Sequence, residues 1–130
     1  MIILTLRTDK PVAEAGVYED NKQLAYIKWQ AHRELSSTIH KKMKKVLGYA
    51  GISPKELQGI VCYKGPGSFT GLRIGLSVAN ALAYALKIPT TAKSGENWLQ
   101  SGIMSLKEGG DEKIVAPKYD SPPKVTKARK

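Results

Sequence analysis

Hydrophobic and polar positions near the N-terminus follow the two-residue period of β-strands. Runs of β-forming residues cover 2–6, 13–18 and 24–29, and turn-forming residues fill positions 19–22. Three such runs joined by short turns predict an antiparallel meander of three strands.

Farther along the chain, the hydrophobic positions change to the spacing of α-helices. Residues 35–50 carry apolar side chains on one helical face, Gly51 is a typical helix stop, and Ser53 with Glu56 has the form of a capping box. The remaining predicted elements alternate: 59–63 (strand), 70–86 (helix), 88–92 (strand) and 94–107 (helix). The order β-β-β-α-β-α-β-α predicts an α/β fold with a mixed five-stranded sheet and right-handed crossovers in its second half.

Length and composition fit one lobe with a tail. The chain has 130 residues, of which 42% are hydrophobic and 25% charged, so it is globular and needs no disulfide or metal to fold. Residues 1–108 are expected to form the lobe. Residues 109–130 contain several prolines and basic residues and are expected to form a basic C-terminal tail.

Cysteine usage and hydropathy predict a cytoplasmic protein without a membrane anchor. Cys62 is the only cysteine, which excludes an intrachain disulfide and a cysteine zinc cluster and favours a reducing compartment. No signal-peptide core follows Met1. The longest apolar stretch, 72–86, contains Arg73 and Asn80, and we expect it to be too short and too polar to span a bilayer.

The chain is strongly basic. Its 21 lysines and arginines against 11 acids give a formal charge of +10. Such a charge favours a polyanion or an acidic partner, although a solvated face that keeps the protein soluble is equally compatible. Two segments carry much of this charge: the lysines at 41, 42, 44 and 45, and those of the tail with Arg129. Both are candidates for contact with nucleic-acid phosphates, and the helix lysines equally for an acidic protein surface.

A glycine-rich loop joins the fourth strand to the second long helix. Residues 65–71 read Gly-Pro-Gly-Ser-Phe-Thr-Gly, and backbone N–H groups at such a helix start can hold an anion. The candidate phosphate contacts are Gly65, Gly67, Ser68 and Thr70. The loop lacks the closing Gly-Lys-Ser/Thr of a P-loop, so a structural turn with Ser68 as the helix N-cap is the other interpretation.

The second long helix carries a row of small residues. Glycine inside a helix costs about 1 kcal/mol relative to alanine, so two glycines in the row indicate a close approach by another backbone. The row consists of Gly71, Gly75, Ala79 and Ala83. Its neighbour is either the sheet of the same lobe or a helix of a second protein.

Catalytic and metal-binding candidates are few. His32 and His40 lie eight residues apart, unlike the four-residue spacing that brings two ligands to one helix face. Cys62 falls in a strand that is expected to be buried, where a thiol is usually inert. We therefore expect no catalytic residue and no metal site.

Residues 64–75 and 81–89 resemble a known signature. The run Lys-Gly-Pro-Gly-Ser-Phe-Thr-Gly-Leu-Arg-Ile-Gly, with Gly-Tyr-Ala-Gly-Ile-Ser at 48–53 upstream, is similar to the bacterial TsaB (YeaZ) family. The resemblance implies an actin-like, ribonuclease-H-type lobe. It also implies a role in making N6-threonylcarbamoyladenosine at position 37 of tRNA, as a non-catalytic dimerisation subunit of the transferase TsaD. The ATPase TsaE joins that pair, and TsaC supplies the activated carbamoyl group.

The resemblance also implies where the partner binds. Family members pair through two helices of each lobe, which here correspond to 35–50 and 70–86. The expected interface residues are Ile39, Met43, Val46, Leu47, Gly71, Arg73, Gly75, Ala79 and Ala83. On this hypothesis, Gly75→Leu abolishes pairing and leaves the lobe folded. For a lone subunit, a homodimer through the same faces is the alternative to this pair.

The sequence departs from the family at three places. Positions 7–9 read Arg-Thr-Asp where members begin with an acid, as in Asp-Thr-Ser, and Leu35 precedes Ser36 where members often have His-Ser. The second lobe of typical members is almost absent, although positions 117–122 resemble their closing segment. We therefore expect no intrinsic cofactor, with ATP or ADP only at a partner interface. The alternatives are an ATPase that uses the Gly65–Gly71 loop, or a basic tRNA-binding module.

Overall fold

The computed structural model describes residues 1–118. It contains five strands and three α-helices: β1 Ile2–Arg7, β2 Val12–Glu19, β3 Lys22–Gln30, α1 Leu35–Ala50, β4 Gly59–Tyr63, α2 Phe69–Leu86, β5 Thr90–Lys93 and α3 Trp98–Lys107. Short 3₁₀ turns precede α1 and β4. The predicted element order and the α/β class are confirmed.

The five strands form one mixed sheet in the order β3-β2-β1-β4-β5. The first three are antiparallel neighbours, whereas β4 and β5 run parallel to β1. Leu4 sits at the centre, paired with Val17 on one side and Ile60 on the other. The meander and the parallel second half follow the prediction.

Alternation along β1 divides the core between the two faces of the sheet. Leu4 and Leu6 point to the larger cluster, where α1 and α2 cover the sheet through residues such as Ile39 and Leu76. Ile3 points to the opposite face, where α3 packs on β4. The lobe is therefore a three-layer arrangement with two helices on one face and one on the other.

Local signals fix most of the element ends. Gly51 ends α1 in the left-handed conformation, with φ of 70°, and the Ser53–Glu56 capping box is formed. Ser68 caps α2 by accepting a hydrogen bond from the Gly71 N–H at 3.3 Å. These three predictions are confirmed.

Two predicted starts are too early. The fifth strand begins at Thr90 rather than at 88, because the Ile88 N–H is used to close the end of α2 on the Ala83 carbonyl. The last helix begins at Trp98 rather than at 94, because Gly95 adopts a φ of 85° that interrupts the helix.

The small-residue row of α2 faces the sheet of the same lobe. A Cβ on Gly75 would lie 2.9 Å from the Thr8 methyl group and closer still to its hydroxyl, and a Cβ on Gly71 would overlap the Thr8 carbonyl oxygen. Ala79 and Ala83 are buried in the main core. The expectation that this row forms a seam for a second protein is wrong, since the end of β1 occupies it.

The predicted interface residues on α1 are also part of the lobe itself. All four, Ile39, Met43, Val46 and Leu47, are buried in the core cluster beneath the helix. They lie on the side of α1 that faces the sheet, because the widest apolar face of a surface helix packs on its own domain first. Of the nine expected interface residues, Arg73 is the one that the structure leaves exposed.

Part of the predicted tail lies along the sheet. Asp111 and Glu112 accept hydrogen bonds from the backbone N–H groups of Thr90 and Ala92 on the outer edge of β5, at 3.1 and 3.0 Å. The Asn80 amide of α2 exchanges two hydrogen bonds with the backbone of residue 115. These contacts satisfy backbone groups at a sheet edge. Residues 119–130, the rest of the predicted tail, lie outside the described residues.

Candidate functional site

A groove of about 430 Å³ runs between α1 and α2 on the surface that faces away from the sheet. Its α1 wall is formed by Ser36, Ile39 and His40, and its α2 wall includes Phe69 and Arg73. The groove exists because the two helices pack on the sheet side by side and their upper faces are not filled by other parts of the described chain.

The α2 wall of the groove is largely apolar. Ile74 and Val78 line the groove, and Leu82 continues their row one turn beyond it; all three are only half-buried. Tyr84, which lies outside the groove, is 88% exposed. The mean hydropathy of α2 is 1.2 over 18 residues, of which 28% are buried. By length and composition alone, α2 could therefore span a membrane, which the sequence did not lead us to expect. Its small-residue row packs within the lobe, with Gly71 and Gly75 against Thr8 and Ala79 and Ala83 in the core, so the remaining apolar surface of α2 is the face turned to the groove.

Arg73 and Phe69 form the mouth of the groove. The Arg73 guanidinium carbon lies 5.2 Å from the centre of the Phe69 ring, which is 52% exposed. Sequence reasoning placed Ile39 and Arg73 at the interface, and both line this groove. It missed four other lining residues: Phe69, Ser36, His40 and Ser77. The signal was present in the second apolar row of α2, which runs through Ile74, Val78 and Leu82.

The glycine loop is held by the turn that joins β1 to β2. The Ser68 N–H donates to the Asp9 carbonyl at 2.9 Å, and a Cβ on Gly67 would overlap Asp9. Gly65 has a φ of 112° and lies against the Lys118 carbonyl. The backbone of the chain itself thus requires glycine at 65 and 67. Thr70 and Ser68 also line a cavity of about 370 Å³ beside Lys10 and Arg33.

The charge of Asp9, which lies in the turn between β1 and β2, is neutralised within the lobe. Asp9 accepts hydrogen bonds from Arg7 Nε at 2.8 Å and Nη2 at 3.2 Å, and its side chain is 4% exposed. Burial alone would lower the pKa of Arg7, but the hydrogen bond and charge of Asp9 outweigh this and raise it. The guanidinium also stacks on Tyr63 at 3.9 Å. A cation therefore occupies the place where the family resemblance calls for a free acid.

No three His, Cys, Asp or Glu side chains among residues 1–118 come together as a possible metal site.

Cys62 lies buried in β4, as its strand pattern predicted. Burial, with a smaller contribution from Glu112, raises its pKa to about 12. We expect the native protein to react with iodoacetamide at pH 8 at least a hundredfold more slowly than the urea-unfolded chain, because both the thiolate fraction and access are reduced. Mass spectrometry of quenched samples measures both rates, and equal rates would contradict the buried thiol.

The fold and the site together define a class. An antiparallel three-stranded meander followed by two parallel strands, with helices on both faces, is the ribonuclease-H-like lobe of the actin-like proteins. Residues 29–94 match the family model described as TsaD, tRNA N6-adenosine threonylcarbamoyltransferase. The chain belongs to this family. TsaB-named relatives and solved YeaZ structures identify it with the TsaB (YeaZ) proteins.

Individual relatives agree with this assignment. The tRNA threonylcarbamoyladenosine biosynthesis protein TsaB of Buchnera aphidicola subsp. Schizaphis graminum is 36% identical over 68% of the chain and 41% of its own length. The tRNA N6-adenosine threonylcarbamoyltransferase of Geotalea uraniireducens is 36% identical over 58% of the chain and 21% of its own length. The solved structure of YeaZ from Pseudomonas aeruginosa superposes with a TM-score of 0.67 and 26% identity, over 72% of the chain and 43% of that structure. The chain thus spans less than half the length of each.

Proposed function

We propose that the chain is a non-catalytic dimerisation subunit in the synthesis of N6-threonylcarbamoyladenosine on tRNA. It pairs with a TsaD-type transferase through the groove between α1 and α2. The names of the relatives support the role in this tRNA modification, and the groove is the surface on which a partner could bind.

The single observation that carries this proposal is the apolar upper face of α2. Residues 74, 78 and 82 stay half-exposed at helical spacing, beside an open groove and the exposed ring of Phe69. A partner helix laid along this face would bury them with side chains at the same four-residue spacing. Stable pairs of this kind bury on the order of 1,200 to 2,000 Å² in total, which two helices on each side can supply.

The surroundings of the candidate chemical groups support a scaffold rather than an enzyme. Asp9 is engaged by Arg7, and Cys62 is a buried thiol with a raised pKa. An actin-like ATPase needs a free acid beside its phosphate loop, and the position that supplies it in the family is Arg7. The proposal therefore assigns any ATP or ADP to a cavity that is completed by a partner, with the Ser68–Thr70 turn as one wall.

Pairing is tested by placing a long charged side chain in the groove. Ser77 is exposed on the groove side of α2, so Ser77→Arg should leave the lobe folded and weaken pairing with the transferase of the same organism at least tenfold. Ser101→Arg is the matched control, since Ser101 is exposed on α3 at the opposite face of the sheet. Co-expression, co-purification and light scattering measure the complex, and calorimetry with ADP measures nucleotide binding by it.

Each result decides the proposal. Loss of the complex with Ser77→Arg and retention with Ser101→Arg support the groove as the interface. Equal binding of the transferase by both variants would show that the groove is not the interface. Hydrolysis of ATP by the isolated chain would favour the ATPase alternative. If the isolated chain forms a homodimer through the same groove, light scattering should show that Ser77→Arg dissociates it and that Ser101→Arg does not.

A further inference from the structure

The solvent face of α1 is a basic surface, and within residues 1–118 its lysines form no ion pair with an acid. Lys41, Lys44 and Lys45 are exposed, and Lys42 is half-buried beside them. We infer that this basic face, residues 41–45 with Tyr49, binds the phosphate backbone of RNA and holds a tRNA against the paired complex. The inference rests on the proposed function for the identity of the RNA, but its chemistry is set by α1.

The charges of this face are not balanced within the lobe. Between Leu35 and Ala50 the helix contains no acid. Within residues 1–118, the ion pairs join Arg7 to Asp9, Lys113 to Asp111, and both Lys107 and the N-terminus to Asp20. The lysines of α1 take part in none of them, so their charges are available to an external polyanion.

Lys41 and Lys45 lie on the side of α1 that faces away from the groove, whereas Lys44 follows His40 by four residues and borders the groove. Ser36, Ile39 and His40 line the groove, and none of the lysines does. Lys41 and Lys45 are one turn apart, about 6 Å along the helix axis, and point away from the buried Ile39 and Val46. A transferase in the groove and an RNA on Lys41 and Lys45 can therefore be bound at the same time.

An aromatic ring at the end of the lysine row favours RNA over an acidic protein. Tyr49 follows Lys45 by four residues and Lys42 by seven, which places it on the same flank of α1, and it is 63% exposed. Gly48 beside it has open space, since a Cβ there would meet nothing within 4 Å. Exposed rings beside cations stack with unpaired bases of RNA, whereas an acidic protein surface needs only the cations.

The four lysines of this basic face also predict whether the RNA sequence is read. Lysine is a flexible point charge that contacts phosphate without reading base edges. The affinity should therefore depend little on the RNA sequence and strongly on salt. The logarithm of the binding constant should fall against the logarithm of the salt concentration with a slope of roughly 0.7 to 0.9 for each phosphate neutralised.

The test compares two triple variants of the full chain that lose the same charge. One is Lys41→Gln/Lys42→Gln/Lys45→Gln, which leaves Lys44 beside the groove unchanged, and the other replaces the exposed lysines at 87, 107 and 113, which lie off α1. Glutamine has nearly the helix propensity of lysine, and at the non-helical positions 87 and 113, where φ is 58° and 66°, it replaces one unbranched side chain by another, so both variants should fold. Fluorescence anisotropy measures the binding of a tRNA transcript at several salt concentrations. The residues after 118 are identical in both variants, so their contribution cancels.

The α1 variant should bind tRNA at least tenfold more weakly at low salt and lower the salt slope by about 2. The control should change affinity less than twofold. Tyr49→Ala should weaken binding several-fold and leave the slope unchanged. Equal losses in the two triple variants, or no loss in the α1 variant, would overturn the inference.

Co-purification with the transferase separates this inference from the proposed function. The α1 variant should still form the complex, whereas Ser77→Arg should lose the complex and keep tRNA affinity. If the α1 variant instead loses the complex and keeps tRNA affinity, the basic face binds an acidic protein surface and the RNA assignment is wrong.

Discussion

Gly75→Ala should destabilise the isolated lobe by about 2 kcal/mol, although alanine is the better helix former. The added methyl group would lie 2.9 Å from the Thr8 methyl and nearer to its hydroxyl, and Thr8 is 3% exposed, so the end of β1 or the whole of α2 must shift. Urea unfolding followed by circular dichroism measures the loss. A larger change, Gly75→Leu, should unfold the lobe rather than spare it as the sequence alone suggested.

Two further variants identify the cause. Gly48→Ala is the matched control, because Gly48 lies within α1 with nothing near its Cβ direction, and it should stabilise the lobe by up to about 1 kcal/mol. Thr8→Ala should remove the contacts of the hydroxyl and methyl groups, so the loss from Gly75→Ala should be smaller in that background. Equal effects of alanine at 48 and 75 would show that α2 does not lie against Thr8.

Arg7→Met should destabilise the lobe by about 3 kcal/mol. It would leave the Asp9 carboxylate, whose side chain is 4% exposed, without the guanidinium that now binds both of its oxygens. Breaking a buried pair from one side costs about 3 to 5 kcal/mol, and Arg7 is itself 21% exposed, which places the effect at the lower end. Urea unfolding at neutral pH measures the change.

The outcome depends on burial, and a surface pair provides the comparison. Lys113→Met breaks the contact with Asp111, but that lysine is 83% exposed, so stability should change by less than about 0.5 kcal/mol. Asp9→Asn in the Arg7→Met background should recover part of the loss, since it removes the unpaired charge. A loss of similar size from Lys113→Met and Arg7→Met would contradict the buried pair.

Sequence reasoning was most accurate where a short segment carries its own signal. The bounds of α1 and β4 were predicted to the residue, and the caps at Gly51 and Ser68 were confirmed. It failed at the start of α3, where Gly95 takes a positive φ that the apolar periodicity does not reveal.

The candidate site was predicted only in outline. The two helices that border the groove were identified, yet eight of the nine interface residues pack within the lobe and only Arg73 stays exposed. A row of small residues indicates that another segment packs closely against the helix, but it does not indicate which segment. Here the neighbour is Thr8, which is far from Gly75 in the sequence because β2, β3, α1 and β4 lie between them.

By itself, the amino-acid sequence determined the order of strands and helices, the helix caps at Gly51 and Ser68, and the excess of basic charge on α1, because each depends on residues close together in the chain. The tertiary structure decided which face of α2 is sealed, that Arg7 neutralises Asp9, and that the groove lies between α1 and α2, away from Lys41 and Lys45. These depend on how β1 and the helices pack, and packing between distant segments is set by shape and burial that no local pattern contains.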